Sequence, residues 1–359
     1  MASPHSESFY CIPTTSLSTA DRHWYSAVSL VSASLSLSGS MYMLCTFFKH
    51  LKQQTGKARS QFSDTLFYLA LADLIACVGV ICRSVALLII SHPKNYPEQG
   101  NNTNTTSCSG SHPSHCTPSS QHYLYYGVLI EFILRFGYIA TFIWTLLYPV
   151  DTLLKLKKQK DVNLIVYHAI TWTLSAALAG SNVVVVFVKV GVPCAGENRL
   201  IWSYFLMYMP LVVVMVTNPF LYRHTTRAYR EELHKTGKYS TEERQKVNKA
   251  KRNFMLYTVV FYVCWLPSVV NLIAALITHF TGVVRVPFPI WIINGICNPL
   301  QGFLNSLSYG KMVPRASRNG QSSPALEIED SLNMTEREAA EIKEQKPREK
   351  HPLLQQQKL

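Results

Sequence analysis

Residues 223–253, RHTTRAYREELHKTGKYSTEERQKVNKAKRN, form a basic stretch that runs directly into the apolar residues 254–280, FMLYTVVFYVCWLPSVVNLIAALITHF. The basic part contains ten Lys and Arg residues. At about 1.5 Å per residue, the apolar part is long enough as a helix to cross the roughly 30 Å hydrocarbon core of a bilayer. Because basic segments remain on the cytoplasmic side of membranes, this stretch predicts a transmembrane helix that leaves a cytoplasmic basic loop.

Working outward, the apolar residues of the 359-residue chain fall into seven blocks of spanning length, which predict helices because unpaired backbone groups are costly in lipid. Lys and Arg are divided 27 to 5 between alternate loops, so we expect the N-terminus outside and the C-terminus in the cytoplasm. This orientation accounts for most of the net charge of +13, and we expect no nucleic-acid partner. The sequence therefore predicts an all-α membrane protein, a seven-transmembrane-helix bundle. Its predicted parts are an outer segment at 1–23, a seven-helix domain at 24–309 with spans at about 24–48, 63–91, 122–148, 162–189, 200–222, 254–280 and 288–309, and a disordered cytoplasmic tail at 310–359.

Four charged side chains fall inside the second and third predicted spans. Asp73 lies near the middle of span two and Arg83 ten residues further on, so they point to different faces and need separate partners. Glu131 and Arg135 are spaced i and i+4 on one face of span three. Because charges within membranes mark functional sites, we predict that Arg83, Glu131 and Arg135 bind a small ligand and that Asp73 forms an internal polar site. The structural alternatives are an Arg83 side chain that extends to the interface, and a Glu131–Arg135 pair that only neutralises itself.

Prolines interrupt the sixth and seventh predicted spans. Span six contains Trp265, Leu266 and Pro267, and span seven carries Asn298-Pro299 at about the depth of Asp73. Since proline removes a backbone hydrogen bond and favours a kink, we predict a movable polar seam in which Asp73 contacts Asn298 beside an opened carbonyl. Such a seam would hold water or a small cation. Span seven contains no lysine, which excludes a retinal Schiff base.

The predicted outer segments carry signals of an oxidising compartment. Sequons at Asn101 and Asn104 predict glycosylation of the long loop after span two. Five of the nine cysteines fall inside spans and are expected to pack as small apolar groups. The other four allow three pairings, which the sequence leaves open. These four are Cys11, Cys108, Cys116 and Cys194.

Five pieces of sequence, taken together and in order, resemble the ocular albinism receptor family of seven-helix G-protein-coupled receptors. The resemblance implies a receptor of the melanosome or of endolysosomal membranes, with the plasma membrane as a second address. It implies L-DOPA and related tyrosine products as ligands, and heterotrimeric G proteins and arrestin as partners. The pieces are LALADLIACVGVICRSVALL, LIVYHAITWTL, YMPLVVVMVTNPFLY, YSTEERQKVNKAKRNFMLYTVVFYVCWLP and NGICNPLQGFLNSLSYG.

Rhodopsin-like receptors offer a more distant resemblance. Asp73 resembles their sodium-site aspartate, Trp265 and Pro267 resemble their tryptophan switch, and Asn298-Pro299 resembles their seventh-helix motif. The chain departs from them because no Asp-Arg-Tyr follows span three and no tyrosine completes the Asn-Pro motif. The disulfide of such receptors implies a bond between Cys194 and Cys116, with Cys108 as the rival partner.

Two cytoplasmic segments predict contacts with soluble partners. Lys246, Lys249, Lys251 and Arg252 lie along about two turns at the base of span six, where we expect them to bind a G protein; the alternative is binding to lipid phosphates. In the tail, Glu349 is followed after three spacers by Leu353 and Leu354, the form of an acidic dileucine signal that clathrin-adaptor-type sorting proteins bind.

The predicted function is therefore a receptor that senses a small ligand and activates a heterotrimeric G protein through the third inner loop and span six. The sequence shows no nucleophile–base pair, phosphate loop or metal-ligand spacing, so we expect neither an enzyme nor a cofactor. The alternative is a seven-helix endolysosomal amino-acid transporter that binds its substrate at Glu131 and Arg135. Ligand-independent amino-acid flux in vesicles would favour transport, although the chain contains no Pro-Gln dipeptide typical of such transporters.

Overall fold

The computed structural model describes residues 19–53, 61–90, 118–156, 164–187, 197–235, 241–281 and 288–312, and all of these except 298–300 are helical. The all-helical architecture agrees with the predicted fold class. The described helices are α1 (Thr19–Gln53), α2 (Gln61–Ile90), α3 (Pro118–Leu156), α4 (Leu164–Phe187), α5 (Glu197–Lys235), α6 (Thr241–Thr281), α7 (Phe288–Cys297) and α8 (Gln301–Met312).

Six of the described helices contain a segment long and apolar enough to cross a membrane. Large apolar side chains such as Ile165, Phe205 and Phe220 are exposed on their outer surfaces, as lipid-facing residues are. These segments overlap the first six predicted spans, whereas the orientation of the termini stays a prediction. They are Ala20–Lys49, Thr65–Ile89, Tyr125–Leu154, Leu164–Val185, Trp202–Ala228 and Phe254–Ala274.

The seventh span differs from the single helix predicted at 288–309, because residues 298–300 form a turn between α7 and α8. Pro299 has no N–H to donate to the preceding turn, and it disfavours a helical conformation of Asn298. The last bond of α7 runs from the Asn298 N–H to the Asn294 carbonyl at 3.1 Å, and the Leu304 N–H donates to the Leu300 carbonyl at 3.1 Å. The predicted kink is therefore a complete break.

Hydroxyl groups of α1 satisfy backbone groups on both sides of this break. Ser32 Oγ donates to the Ile296 carbonyl at 2.6 Å, near the end of α7. The Phe303 N–H, in the first turn of α8, donates to Ser36 Oγ at 3.1 Å. Since helix ends leave such groups without an intrahelical partner, α1 acts as a brace across the broken span.

The basic stretch at 223–253 is also more ordered than the predicted loop. Helix α5 continues to Lys235 and helix α6 begins at Thr241, so most of the stretch is helical. Arg, Lys and Glu are good helix formers, and the exposed Arg227–Glu231 pair, with an N–O distance of 2.9 Å, adds an i,i+4 contact to α5. The cations Lys246, Lys249, Lys251 and Arg252 therefore belong to the first turns of α6.

Helix α3 occupies the centre of the bundle and packs against α2, α4 and α5. The closest approach is to α2, where two glycines remove the side chain that would otherwise separate the helices. A Cβ on Gly79 would lie 2.8 Å from the Leu134 Cα, and a Cβ on Gly137 would lie 2.5 Å from the Ala76 N. Backbone therefore meets backbone along this crossing.

We expect Gly137→Ala to destabilise the bundle, because the new Cβ would also lie 2.7 Å from the Ala76 Cα and backbone atoms cannot move aside independently. The expected loss is about 1–3 kcal/mol, measured by thermal unfolding of the full chain in detergent. Gly180→Ala is the matched control, because its Cβ would meet only the Phe132 ring at 4.0 Å. Equal melting temperatures for the two variants would contradict the predicted close packing.

Candidate ligand-binding site

The α2–α3 crossing brings the three predicted ligand residues together. Glu131 lies between two arginines: its Oε1 is 3.5 Å from Arg83 Nε in α2, and its Oε2 is 3.2 Å from Arg135 Nη2 one turn along α3. All three side chains are buried, with relative exposures of 4% for Arg83, 0% for Glu131 and 1% for Arg135. Arg83 thus forms a buried ion pair and does not extend to the surface, and the predicted Glu131–Arg135 contact is present with a second cation added.

Two residues that sequence reasoning missed extend this cluster across the bundle. Arg135 Nη1 donates to Oδ1 of Asn182 in α4. Asn182 Nδ2 donates to the Ser203 carbonyl in α5 at 2.8 Å, and Ser203 Oγ donates to Asn182 Oδ1 at 2.8 Å. The sequence signal was the polar Asn182 directly before four valines in an apolar span. The ionic cluster of Arg83, Glu131 and Arg135 therefore connects α2, α3, α4 and α5.

A narrow cleft adjoins the ionic cluster on its Arg83 side. Glu131 and Arg135 are not among its lining residues, so Arg83 is the member of the ionic cluster that a ligand in the cleft would meet. The cleft has room for about one water molecule, about 10 Å³, so a ligand needs it to widen. The lining residues come from α1, α2, α3, α7 and the turn after α7: Tyr25, Ser29, Val80, Arg83, Ser84, Leu87, Leu134, Tyr138, Asn294, Gly295 and Pro299.

The internal polar site at Asp73 is present, but its partners differ from the prediction. Thr141 Oγ1 donates to Asp73 Oδ1 at 3.0 Å, and Asn305 Nδ2 donates to Asp73 Oδ2 at 2.9 Å. The predicted contact with Asn298 was wrong. Helix α7 ends at Cys297, Asn298 lies in the turn and contacts Ser268, and α8 places Asn305 next to Asp73. Gly302 lies against the same side chain, since a Cβ on Gly302 would be 3.3 Å from the Asp73 Cβ.

Two residues of α6 join it to the broken seventh span through three buried contacts. Trp265 Nε1 donates to Oε1 of Gln301, in the first turn of α8. Ser268 Oγ lies 3.1 Å from Asn294 Oδ1 and 2.9 Å from Asn298 Oδ1. The sequence indicated Trp265 and Asn298 but missed Gln301, Ser268 and Asn294. Single polar residues such as these can be assigned a contact only when the partner helix is known.

The aromatic surroundings of Trp265 connect the ligand cleft to α6. Its ring packs edge-on against Tyr138 and Phe142 of α3, with centroid distances of 5.0 and 4.5 Å. Pro267 lies two residues after Trp265 within α6, and Pro299 lies in the turn after α7. Tyr138 therefore contacts both the cleft and the predicted switch tryptophan.

Several predicted residues lie where the structure gives less information. Arg252 is exposed on α6, and Lys246, Lys249 and Lys251 lie on the same helix. The remaining predicted sites lie outside the described residues, so these stay predictions. They are Cys108, Cys116 and Cys194 for the disulfide, Asn101 and Asn104 for glycosylation, and Glu349, Leu353 and Leu354 for sorting.

Comparison with known proteins gives one family over nearly the whole chain and two relatives. Residues 1–352 match the family described as "Ocular albinism type 1 protein". The human protein named "G-protein coupled receptor 143" is 27% identical over 252 residues, which cover 67% of this chain and 58% of the relative. The Dictyostelium discoideum protein named "Cyclic AMP receptor-like protein C" is 24% identical over 186 residues, which cover 51% of this chain and 50% of the relative.

The matched part of the chain spans 58% of the length of the human relative and 50% of the length of the Dictyostelium discoideum relative. The family match, by contrast, runs through all eight described helices, including the ionic cluster and the broken seventh span. It confirms the resemblance found in the sequence. The chain belongs to the ocular albinism type 1 protein family.

Proposed function

We propose that this protein is a G-protein-coupled receptor that senses a small ligand, L-DOPA or a related tyrosine product. The receptor activates a heterotrimeric G protein through its third inner loop and α6. The names of the two relatives support a receptor, one as a G-protein-coupled receptor and the other as a cyclic-AMP-receptor-like protein. The proposal extends to arrestin as a further partner.

One observation carries the proposal: residues of the ligand cleft are the same residues that hold α6. Tyr138 and Asn294 line the cleft, and they contact Trp265 and Ser268 of α6. A ligand that widens the cleft must therefore disturb contacts on either side of Pro267, where α6 has lost a backbone hydrogen bond. In the proposed mechanism α6 has an inactive and an active position. A ligand that binds more tightly to one of them shifts α6 toward it, and this shift couples the ligand to the G protein.

The opposite end of α6 is held by aromatic contacts that such a movement would break. Phe254 stacks on Tyr148 of α3 and on Tyr222 of α5, with centroid distances of 5.9 and 5.4 Å. Tyr262 also donates a hydrogen bond to the Met215 carbonyl of α5. The Phe254 contacts are next to the basic start of α6, whereas Tyr262 lies three residues before Trp265. Separation of the Phe254 contacts would expose a basic surface together with apolar side chains.

The proposed address is the melanosome or an endolysosomal membrane, with some receptor at the plasma membrane. The dileucine form at Glu349, Leu353 and Leu354 supports this address, because an adaptor with a basic site and a hydrophobic slot recognises such a segment. With the N-terminus outside, we also propose a luminal disulfide between Cys116 and Cys194. The same orientation places the proposed glycans on Asn101 and Asn104 in the lumen.

The receptor proposal is tested by ligand-stimulated nucleotide exchange on a purified G protein, with vesicles that contain the full chain and a panel of catechols and amino acids. We expect Arg83→Ala/Glu131→Ala to abolish the response at unchanged vesicle levels, because the double variant removes the charges next to the cleft. Lys49→Ala is the control, since it removes an exposed charge of α1 that lies outside the ionic cluster and outside the basic stretch 223–253. An unchanged dose–response in the first double variant would refute the predicted ligand role.

A second prediction concerns the basic start of α6. We expect replacement of Lys246, Lys249, Lys251 and Arg252 by glutamine to reduce nucleotide exchange while leaving ligand binding intact, because these cations face acidic or backbone groups of the G protein. Exchange rates and ligand binding should be measured on the same vesicles. Full exchange activity in this variant would instead support simple attraction to lipid phosphates.

The sorting prediction concerns the tail. We expect Leu353→Ala/Leu354→Ala to move the receptor from endolysosomal membranes to the plasma membrane, as measured by surface labelling against total protein. Leu326→Ala/Leu332→Ala is the control, since it removes two tail leucines that are not adjacent. Unaltered vesicle localisation would assign sorting to another segment, such as the third inner loop.

A further inference from the structure

The polar groups that line the ligand cleft are suited to an anion. Arg83 contributes a guanidinium group, and both Ser29 Oγ and Tyr138 Oη are buried in the described structure without a hydrogen-bond partner. Hydroxyl groups of serine and tyrosine can donate, and a guanidinium can only donate. A ligand that supplies acceptor oxygens would therefore satisfy both hydroxyl groups and could also pair with the Arg83 guanidinium.

The charge count of the ionic cluster favours the same kind of ligand. The cluster contains two guanidinium groups and one carboxylate, and Glu131 is shared between both arginines. Arg135 lies away from the cleft and also binds Asn182, so Arg83 is the cation that the cluster presents to the cleft. In a medium of low dielectric constant, such a cation attracts a negative charge and excludes a positive one.

We propose that the cleft binds the carboxylate of a small organic acid, amino acids included, with Arg83 as the ion-pairing residue and Ser29 and Tyr138 as hydroxyl donors. Glu131 does not line the cleft; it pairs with Arg83 and competes with the ligand for that guanidinium. The cleft as described has room for about one water molecule, so the carboxylate enters as α1 and α7 move apart from α2 and α3. This inference rests on the proposed receptor function for the biological role of the ligand, but binding itself is independent of a G protein.

A competing role and a structural role of Glu131 predict opposite effects of Glu131→Gln on ligand binding. If Glu131 only holds Arg83 in place, Glu131→Gln weakens ligand binding. If it competes with the ligand for Arg83, Glu131→Gln leaves more positive charge at the cleft and binding becomes tighter. Arg83→Gln removes a charge-assisted contact, for which we expect about 10- to 100-fold weaker binding.

The test measures thermal stabilisation of the purified full chain in lipid nanodiscs by three probes: L-tyrosine, 3-(4-hydroxyphenyl)propionate, which lacks the amine, and tyramine, which lacks the carboxylate. We expect both acids to stabilise the protein and tyramine to have no effect. Arg83→Gln should weaken acid binding, Arg83→Lys should retain part of it, and Glu131→Gln should strengthen it. Arg227→Gln, at an exposed position on α5, is the matched control and should bind the acids as the unchanged chain does.

Stabilisation by tyramine equal to that by the acids would overturn the proposal, as would the absence of stabilisation by either acid. Weaker acid binding in Glu131→Gln would overturn its competing role. Chloride, varied against sulfate at constant ionic strength, tests an inorganic source of the same negative charge. The proposal of an organic ligand would be overturned if chloride stabilised the protein as much as the acids do and left the acids no further effect.

Nucleotide exchange separates this inference from the receptor proposal. Acids that stabilise the chain without stimulating exchange would support the site and refute the G-protein function. Exchange that tyramine stimulates, without any effect of the acids, would support the receptor and refute the carboxylate site. If Arg83→Gln does not fold, the opposite effects expected of Arg83→Lys and Glu131→Gln still decide the question.

Discussion

The close approach of α2 and α3 at Gly79 and Gly137 is the constraint on which both buried polar sites depend. Each glycine lets one helix contact the backbone of the other, and this fixes the antiparallel register of the pair. One turn beyond the contact in one direction, Arg83 reaches Glu131, and about one turn beyond it in the other direction, Asp73 reaches Thr141. The pairs in order along the crossing are Arg83–Glu131, Gly79–Leu134, Ala76–Gly137 and Asp73–Thr141.

The ionic cluster is a weak explanation of stability and a stronger explanation of function. Removal of a charge from water costs several kcal/mol per ion, and replacement of buried ions by apolar groups is often neutral or stabilising. Asn182 offsets part of the cost at Arg135 through its amide oxygen. Arg83 is costly to bury and adjoins a cleft, and this is why we propose it as part of a binding site.

The broken seventh span gives the bundle an element with separate halves. Helix α7 contributes Asn294 to the cleft and to Ser268 of α6, whereas α8 contributes Gln301 to Trp265 and Asn305 to Asp73. The α1 hydroxyl groups hold the two halves in place across the turn at 298–300, where the chain is not helical. In the proposed receptor mechanism, a movement of α7 would reach α6 through Asn294 and Ser268 while Asn305 of α8 keeps its contact with Asp73 of α2.

The sequence by itself determined the membrane class, the positions of the first six spans, the charged residues of α2 and α3, and the Glu131–Arg135 pair, because apolar length and i,i+4 spacing are local properties. It also carried the family resemblance, since the motifs at Trp265 and Asn298 are local too. Only the tertiary structure decided that Arg83 joins Glu131, that Asp73 pairs with Asn305 rather than Asn298, and that Gln301 holds Trp265. Each of these contacts joins helices that are distant in sequence, and their register depends on backbone contact at glycines and on a break at Pro299, neither of which follows from residue spacing along one helix.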